Sequence, residues 1–92
     1  MNTHSRAIIQ RTLSLINSYR NRDTGLSYLV RSLEGSLNAL EEKMPEEFYN
    51  SWFSFWGDLE TILALGTEAQ AQKDIIDDLE GLEKIINKQL SE

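Results

Sequence analysis

PEEFYNSWFSFWGDLETILALG (45–66) holds six of the chain's eight aromatic residues within nine consecutive positions, Phe48 to Trp56. On a helical wheel at about 100° per residue, Phe48, Trp52, Phe55, Leu59, Ile62 and Leu63 converge on one arc. Pro45 suits the first helical position, and Glu46 and Glu47 then meet the positive end of the helix dipole. Gly66 can close the segment in a left-handed conformation. The stretch therefore reads as a helix from near Pro45 to about Leu65. Tyr49, Phe53 and Trp56 run along one edge of the arc at i, i+4 and i+7, followed by Glu60. Two readings of that edge stay open. It widens the apolar face of a central helix, or Tyr49 and Phe53 form an exposed patch whose acidic rim, Glu46, Glu47 and Glu60, favours a basic partner.

Three further segments show helical spacing. From about Ser5 to Asn21, Ile8, Thr12, Ile16 and Tyr19 form a stripe widened by Ile9, Leu13 and Leu15, and NRDTG (21–25) ends it with turn formers. The next helix begins near Ser27, with Ser27, Asp23 or Thr24 as its N-cap. Its face is Leu29, Val30, Leu33, Leu37 and Leu40, continued by Met44. Ser32, Gly35, Ser36 and Ala39 form a small-residue stripe on its side, where another backbone could approach closely; the alternative is a tolerated surface glycine. Thr67 and Gln70 make a capping-box pattern before the last helix, about Glu68 to Leu90. There Ile75, Leu79, Leu82, Ile86 and Leu90 form a narrow seam. No window alternates as a strand would. The expectation is an all-α fold: one domain over residues 1–92, an antiparallel up-down bundle of four helices joined by short connections.

Composition narrows the function classes. A 92-residue chain buries roughly 60–65% of its unfolded surface, so it folds alone with little margin. Without cysteine there is no disulfide framework and no thiolate chemistry. No apolar run approaches the ~20 residues of a membrane span, and no signal-peptide core is visible. A cytoplasmic protein that binds no membrane is expected. The net charge of −6 is polarised: residues 1–31 carry five arginines against Asp23, whereas residues 32–92 hold four lysines against fourteen carboxylates. Residues 1–22, with four arginines, three serines and no acid, overlap the composition of an organellar transit peptide. Their complete apolar face argues that the fold uses them.

Catalytic patterns are missing. The only histidine is His4, which removes zinc H-E-x-x-H sites, serine triads and the Glu-x-x-His pairs of di-iron bundles. DIIDDLEG (74–81) fails the EF-hand spacing and reads as a solvated acidic face. No phosphate-binding glycine loop occurs. A domain with pI about 4.7 repels a polyanion, so nucleic acid is not an expected ligand. No enzyme, cofactor or metal site is expected.

LVRSLEGSLNALEE (29–42) followed by FYNSWFSFWGDLETILALG (48–66) resembles a group of small acidic helical bacterial proteins. They share an L-V-x-x-L-E-x-x-L-N-A-L helix and a following W-x-x-L-E helix. Leu29, Val30, Leu33, Glu34, Leu37, Asn38, Ala39 and Leu40 carry the first match, and Trp56, Leu59 and Glu60 the second. The match covers about half the chain and consists mostly of core leucines. Some such proteins look like immunity proteins encoded beside secreted toxins, including contact-dependent growth inhibition systems. The resemblance implies binding and neutralising a cognate toxin domain. The expected partner is a basic toxin domain, a nuclease, held inactive by occlusion of its active site. The partner-binding residues on this reading are Glu46, Glu47, Tyr49, Phe53 and Glu60, with Asp74, Asp77 and Asp78 as a second acidic surface. The alternative is a structural or regulatory homodimer that buries the small-residue stripe or the Ile75–Leu90 seam between chains.

Overall fold

The computed structural model describes residues 1–40 and 42–92. Its elements are α1 (Thr3–Arg20), α2 (Leu26–Asn38), α3 (Glu46–Leu65) and α4 (Gln72–Ser91), with no strand among the described residues. Each helix packs on its neighbour in the chain, and α4 closes the ring against α1. The radius of gyration, 12.7 Å, is close to the ~12 Å of a compact domain of this length, so no helix stands away from the others.

The core lies where the periodicity placed it. Ile9 and Ile16 of α1, Leu29 and Leu33 of α2, Trp52 and Leu59 of α3, and Ile75, Leu79, Leu82 and Ile86 of α4 are sealed from solvent. Thr12 joins them because its hydroxyl donates to the Ile8 carbonyl, 3.0 Å away, and so leaves no donor unpaired.

Helix ends depart from expectation in instructive ways. α2 stops at Asn38 instead of running on to Met44, and the expected continuation crosses Glu41, outside the described residues. Met44 is buried all the same, 4% exposed, because the connection carries it under the start of α3. There its backbone N–H donates to the Tyr49 hydroxyl at 3.0 Å. Gly25, not Ser27, Asp23 or Thr24, caps α2. The Thr67–Gln70 pattern forms a turn of its own: the Gln70 N–H donates to the Thr67 carbonyl at 3.1 Å, and α4 begins only at Gln72.

α3 ends as anticipated, with Gly66 at φ 68°. Its N–H donates to the Leu63 carbonyl and that of Thr67 to the Ile62 carbonyl, both at 3.2 Å, the paired bonds of a Schellman closure. α1 closes the same way, with bonds from Arg22 to Tyr19 and from Asp23 to Ser18. Here the left-handed position, φ 64°, falls on Arg22, where a Cβ costs about 1–2 kcal/mol.

The glycine that permits close helix approach is Gly81, not Gly35. A Cβ on Gly81 would enter the Phe55 ring, which lies directly on the α4 backbone, whereas a Cβ on Gly35 meets nothing within 4 Å. Opposite signs follow for the two alanine variants. Gly35→Ala is expected to stabilise by about 0.5–1 kcal/mol through helix propensity. Gly81→Ala is expected to destabilise by about 1–3 kcal/mol through overpacking. Urea denaturation of both variants measures the difference.

Candidate functional site

α3 sits between α2 and α4, which divides its surface into four strips. Phe48, Trp52 and Leu59 point inward. Toward α2, the Trp56 indole N–H donates to the Val30 carbonyl at 3.0 Å. Toward α4, Phe55 rests on Gly81. The fourth strip faces solvent and includes Glu46, Asn50, Phe53, Ser54, Glu60 and Thr61.

The aromatic edge is therefore shared between core and surface. Tyr49 is half-buried: its ring meets Phe48 edge-on at 6.0 Å, and its hydroxyl accepts the Met44 N–H. That hydroxyl is committed within the fold, so Tyr49 ties down a connection and offers a partner only its ring edge. Trp56 is likewise half-buried. Phe53 is 50% exposed, and its ring stands edge-on to Trp56, 6.4 Å between centroids and 84° between planes. Trp56 is itself tied to α2 through Val30, and Phe53 packs edge-on against it with half its surface in solvent. Glu46, Glu47 and Glu60 are exposed on the same helix. α3 carries four carboxylates, the fourth being Asp58, and no basic residue.

The second acidic surface is only partly a surface. Asp74 and Asp77 are exposed, but Asp78 is 7% exposed and is the one charged residue buried among the described residues. This corrects the reading of DIIDDLEG as a wholly solvated face. Helical spacing carried the signal: Asp78 lies three residues after Ile75 and four before Leu82, on the apolar seam itself. Across the α3–α4 contact its carboxyl is in hydrogen-bonding reach of Asp58, a residue that reading α3 alone does not single out. Burial pushes the Asp78 carboxyl up to about 7, and repulsion from Asp58, Asp74 and Asp77 adds to the shift.

An open groove of about 1060 Å³ runs between the end of α1 and α4, with Ile76 and Leu79 among its apolar lining. Two contacts cross its walls. Arg20 makes a two-pronged contact with Glu83 at 2.6 and 2.7 Å, which holds the guanidinium more firmly protonated. The Tyr19 hydroxyl donates to Glu68 at 2.8 Å, and burial, aided by that bond, keeps it protonated above its usual range.

The apolar seam of α4 is consumed inside the molecule. Ile75, Leu79, Leu82 and Ile86 are fully buried, and Leu90 packs against the same core, so the seam offers nothing to a second chain. The small-residue stripe is divided: Ser36 is buried, whereas Gly35 and Ala39 are exposed. Among the described residues no cluster of His, Cys, Asp or Glu is placed to hold a metal ion, and no helix is long and apolar enough to cross a membrane. Comparison with known proteins finds no matching family, curated relative or solved structure.

Asp78 has a measurable consequence. Its carboxyl is raised from 3.8 to about 7 by folding, so between those values the folded protein holds a proton that the unfolded chain has released. The associated stability is fully present below about pH 4 and is lost as pH rises through 7. Asp78→Asn should accordingly melt higher than the parent protein at pH 8, with the gap closing toward pH 5. Thermal unfolding followed by circular dichroism at the two pH values tests this.

Proposed function

We propose that this chain is an immunity protein that neutralises a basic bacterial toxin domain, a nuclease, by laying the outer face of α3 across its active site. The observation that carries the reading is Phe53: a large aromatic side chain, half exposed and packed edge-on against Trp56, on a helix with four carboxylates and no base. Aromatic anchors of this kind supply much of the energy of protein interfaces. The carboxylates supply charge complementarity to a phosphate-binding cleft and speed encounter with it. Glu46 and Glu60 flank the anchor, with Glu47 and the ring edge of Tyr49 nearer the start of α3. Asp74 and Asp77 extend the acidic field onto α4. Inhibition by occlusion needs no catalytic group, and the protein would act in the cytoplasm.

The reading takes the four helices as an up-down antiparallel bundle. In support, Arg6 near the start of α1 donates to the Leu90 carbonyl at the end of α4, while Tyr19 and Arg20 at the end of α1 reach Glu68 and Glu83. Such a scaffold presents α3 as one rigid face.

Co-expression with the product of the neighbouring gene, followed by pull-down, is the direct test. Protection and capture are expected, and the absence of both, with no toxin-like neighbour, would sink the proposal. Phe53→Ala should weaken capture by about 2 kcal/mol, roughly 30-fold, with the free protein's melting curve little changed. Glu60→Lys should slow association, most clearly at low salt.

A further inference from the structure

The charges of this molecule are sorted by helix, and the packing keeps the two extremes apart. α1 carries Arg6, Arg11 and Arg20 with no carboxylate, whereas α3 carries Glu46, Glu47, Asp58 and Glu60 with no base. Each of these helices packs on α2 and α4, and α1 and α3 do not meet among the described residues. They stand at opposite corners of the bundle, with outer faces pointing in opposite directions. The molecule is 20 Å through at its thinnest, against a screening length of about 10 Å in 0.1 M salt. The basic and acidic helices of one copy therefore do little to neutralise each other. Arg20 is answered by Glu83 of α4, and Arg6 donates to the Leu90 carbonyl. Arg11 is exposed and makes no ion pair among the described residues. Ala7 and Ser14 share its side of α1 and are also exposed, so the ground beside it is uncharged and has no bulky side chain. The outer side of α3 has the converse relief. Phe53 stands half in solvent, about two helical turns from Glu46 and from Glu60.

We infer that the outer face of α3 in one copy docks on the outer face of α1 in the next, so that copies of this chain associate head to tail. Phe53 is the raised apolar anchor, and the Ala7–Ser14 stretch is the flat ground that receives it. Arg11 meets the carboxylates that flank the anchor. Charge selects this pairing among those open to a second copy. α3 against α3 opposes four carboxylates to four, and α1 against α1 opposes arginine to arginine. α4 carries five acids against three lysines, and α2 carries one charge of each sign, Arg31 and Glu34. Only α1 offers α3 an excess of positive charge. Because the two faces differ and lie on opposite sides, each added copy leaves one of each kind free, and assembly does not stop at two. The net charge of −6 makes whole copies repel, so the contact forms at high concentration. Salt near 0.1 M screens that long-range repulsion, over about 10 Å, more than it screens groups in contact. This association does not depend on the reading of α3 as a toxin-binding face. It covers the same face, so a tighter partner on α3 disperses the copies.

Sedimentation equilibrium of the full chain in about 0.1 M salt, from micromolar to millimolar concentration, is the test. The average mass is expected to rise with concentration and not to level at a dimer. Arg11→Glu and Phe53→Ala, both at exposed positions, should keep the parent's circular dichroism and each weaken association at least about tenfold. Mixing the two variants is decisive. Phe53→Ala keeps its α1 face and Arg11→Glu keeps its α3 face. The mixture should therefore form a one-to-one dimer and nothing larger. A parent chain that stays monomeric at millimolar concentration would overturn the inference, as would a mass that levels at a dimer. A mixture no more associated than its separate components would overturn it equally. None of these readouts involves a toxin. Their failure leaves the immunity reading intact, and assembly without protection on co-expression would leave the head-to-tail contact standing alone.

Discussion

The burial of α3 between two neighbours is the constraint on which the remaining structure depends. Trp52 is 1% exposed and Phe48 4%, their rings tilted against one another at 5.4 Å. Full burial of a large apolar side chain contributes about 1.5–3 kcal/mol, a large fraction of the stability a small domain can hold. The indole N–H of Trp52 is left without a partner among the described residues, at a cost of about 1–3 kcal/mol. The ring is nonetheless part of the buried core.

Once α3 is central, each flank must be satisfied by the helix it meets. Trp56 finds the Val30 carbonyl, Tyr49 the Met44 N–H, and Phe55 the bare backbone at Gly81. These contacts differ in kind but share an effect, since each removes one aromatic ring from the pool available to a partner. Phe53 remains outside because its strip has no neighbouring helix. The same packing that buries most of the aromatic run therefore also leaves one member of it, Phe53, half in solvent.

Two positions run against local preference. Arg22 holds a left-handed conformation suited to glycine, and Asp78 places a carboxyl on an apolar seam. Natural chains concentrate such departures where function or strain is at stake. Arg22 borders the groove beside α4, where the paired Arg20–Glu83 contact gives a structural account of the neighbouring charges but not of Arg22 itself. Asp78 is buried on α4 beside the exposed Asp74 and Asp77, and the charge of Asp58 on α3 acts on it across the helix contact.

Helix positions and buried arcs were determined by the amino-acid order itself. The intervals from Ile75 to Ile86, the aromatic arc of α3 and the Gly66 stop all depend on spacings of three or four residues, which the helix repeat converts directly into a shared face. The exposed placement of Phe53 was left open by that reasoning, because a wheel ranks positions by angle and does not say how wide a neighbour is. Only the tertiary structure decided that α2 ends at Asn38 with Met44 folded under α3, that Gly81 and not Gly35 receives a ring, and that Asp78 faces Asp58. Each of those outcomes depends on an atom supplied by another segment, as with Trp56 and Val30, 26 residues apart. Local periodicity carries no information about which distant group will arrive there.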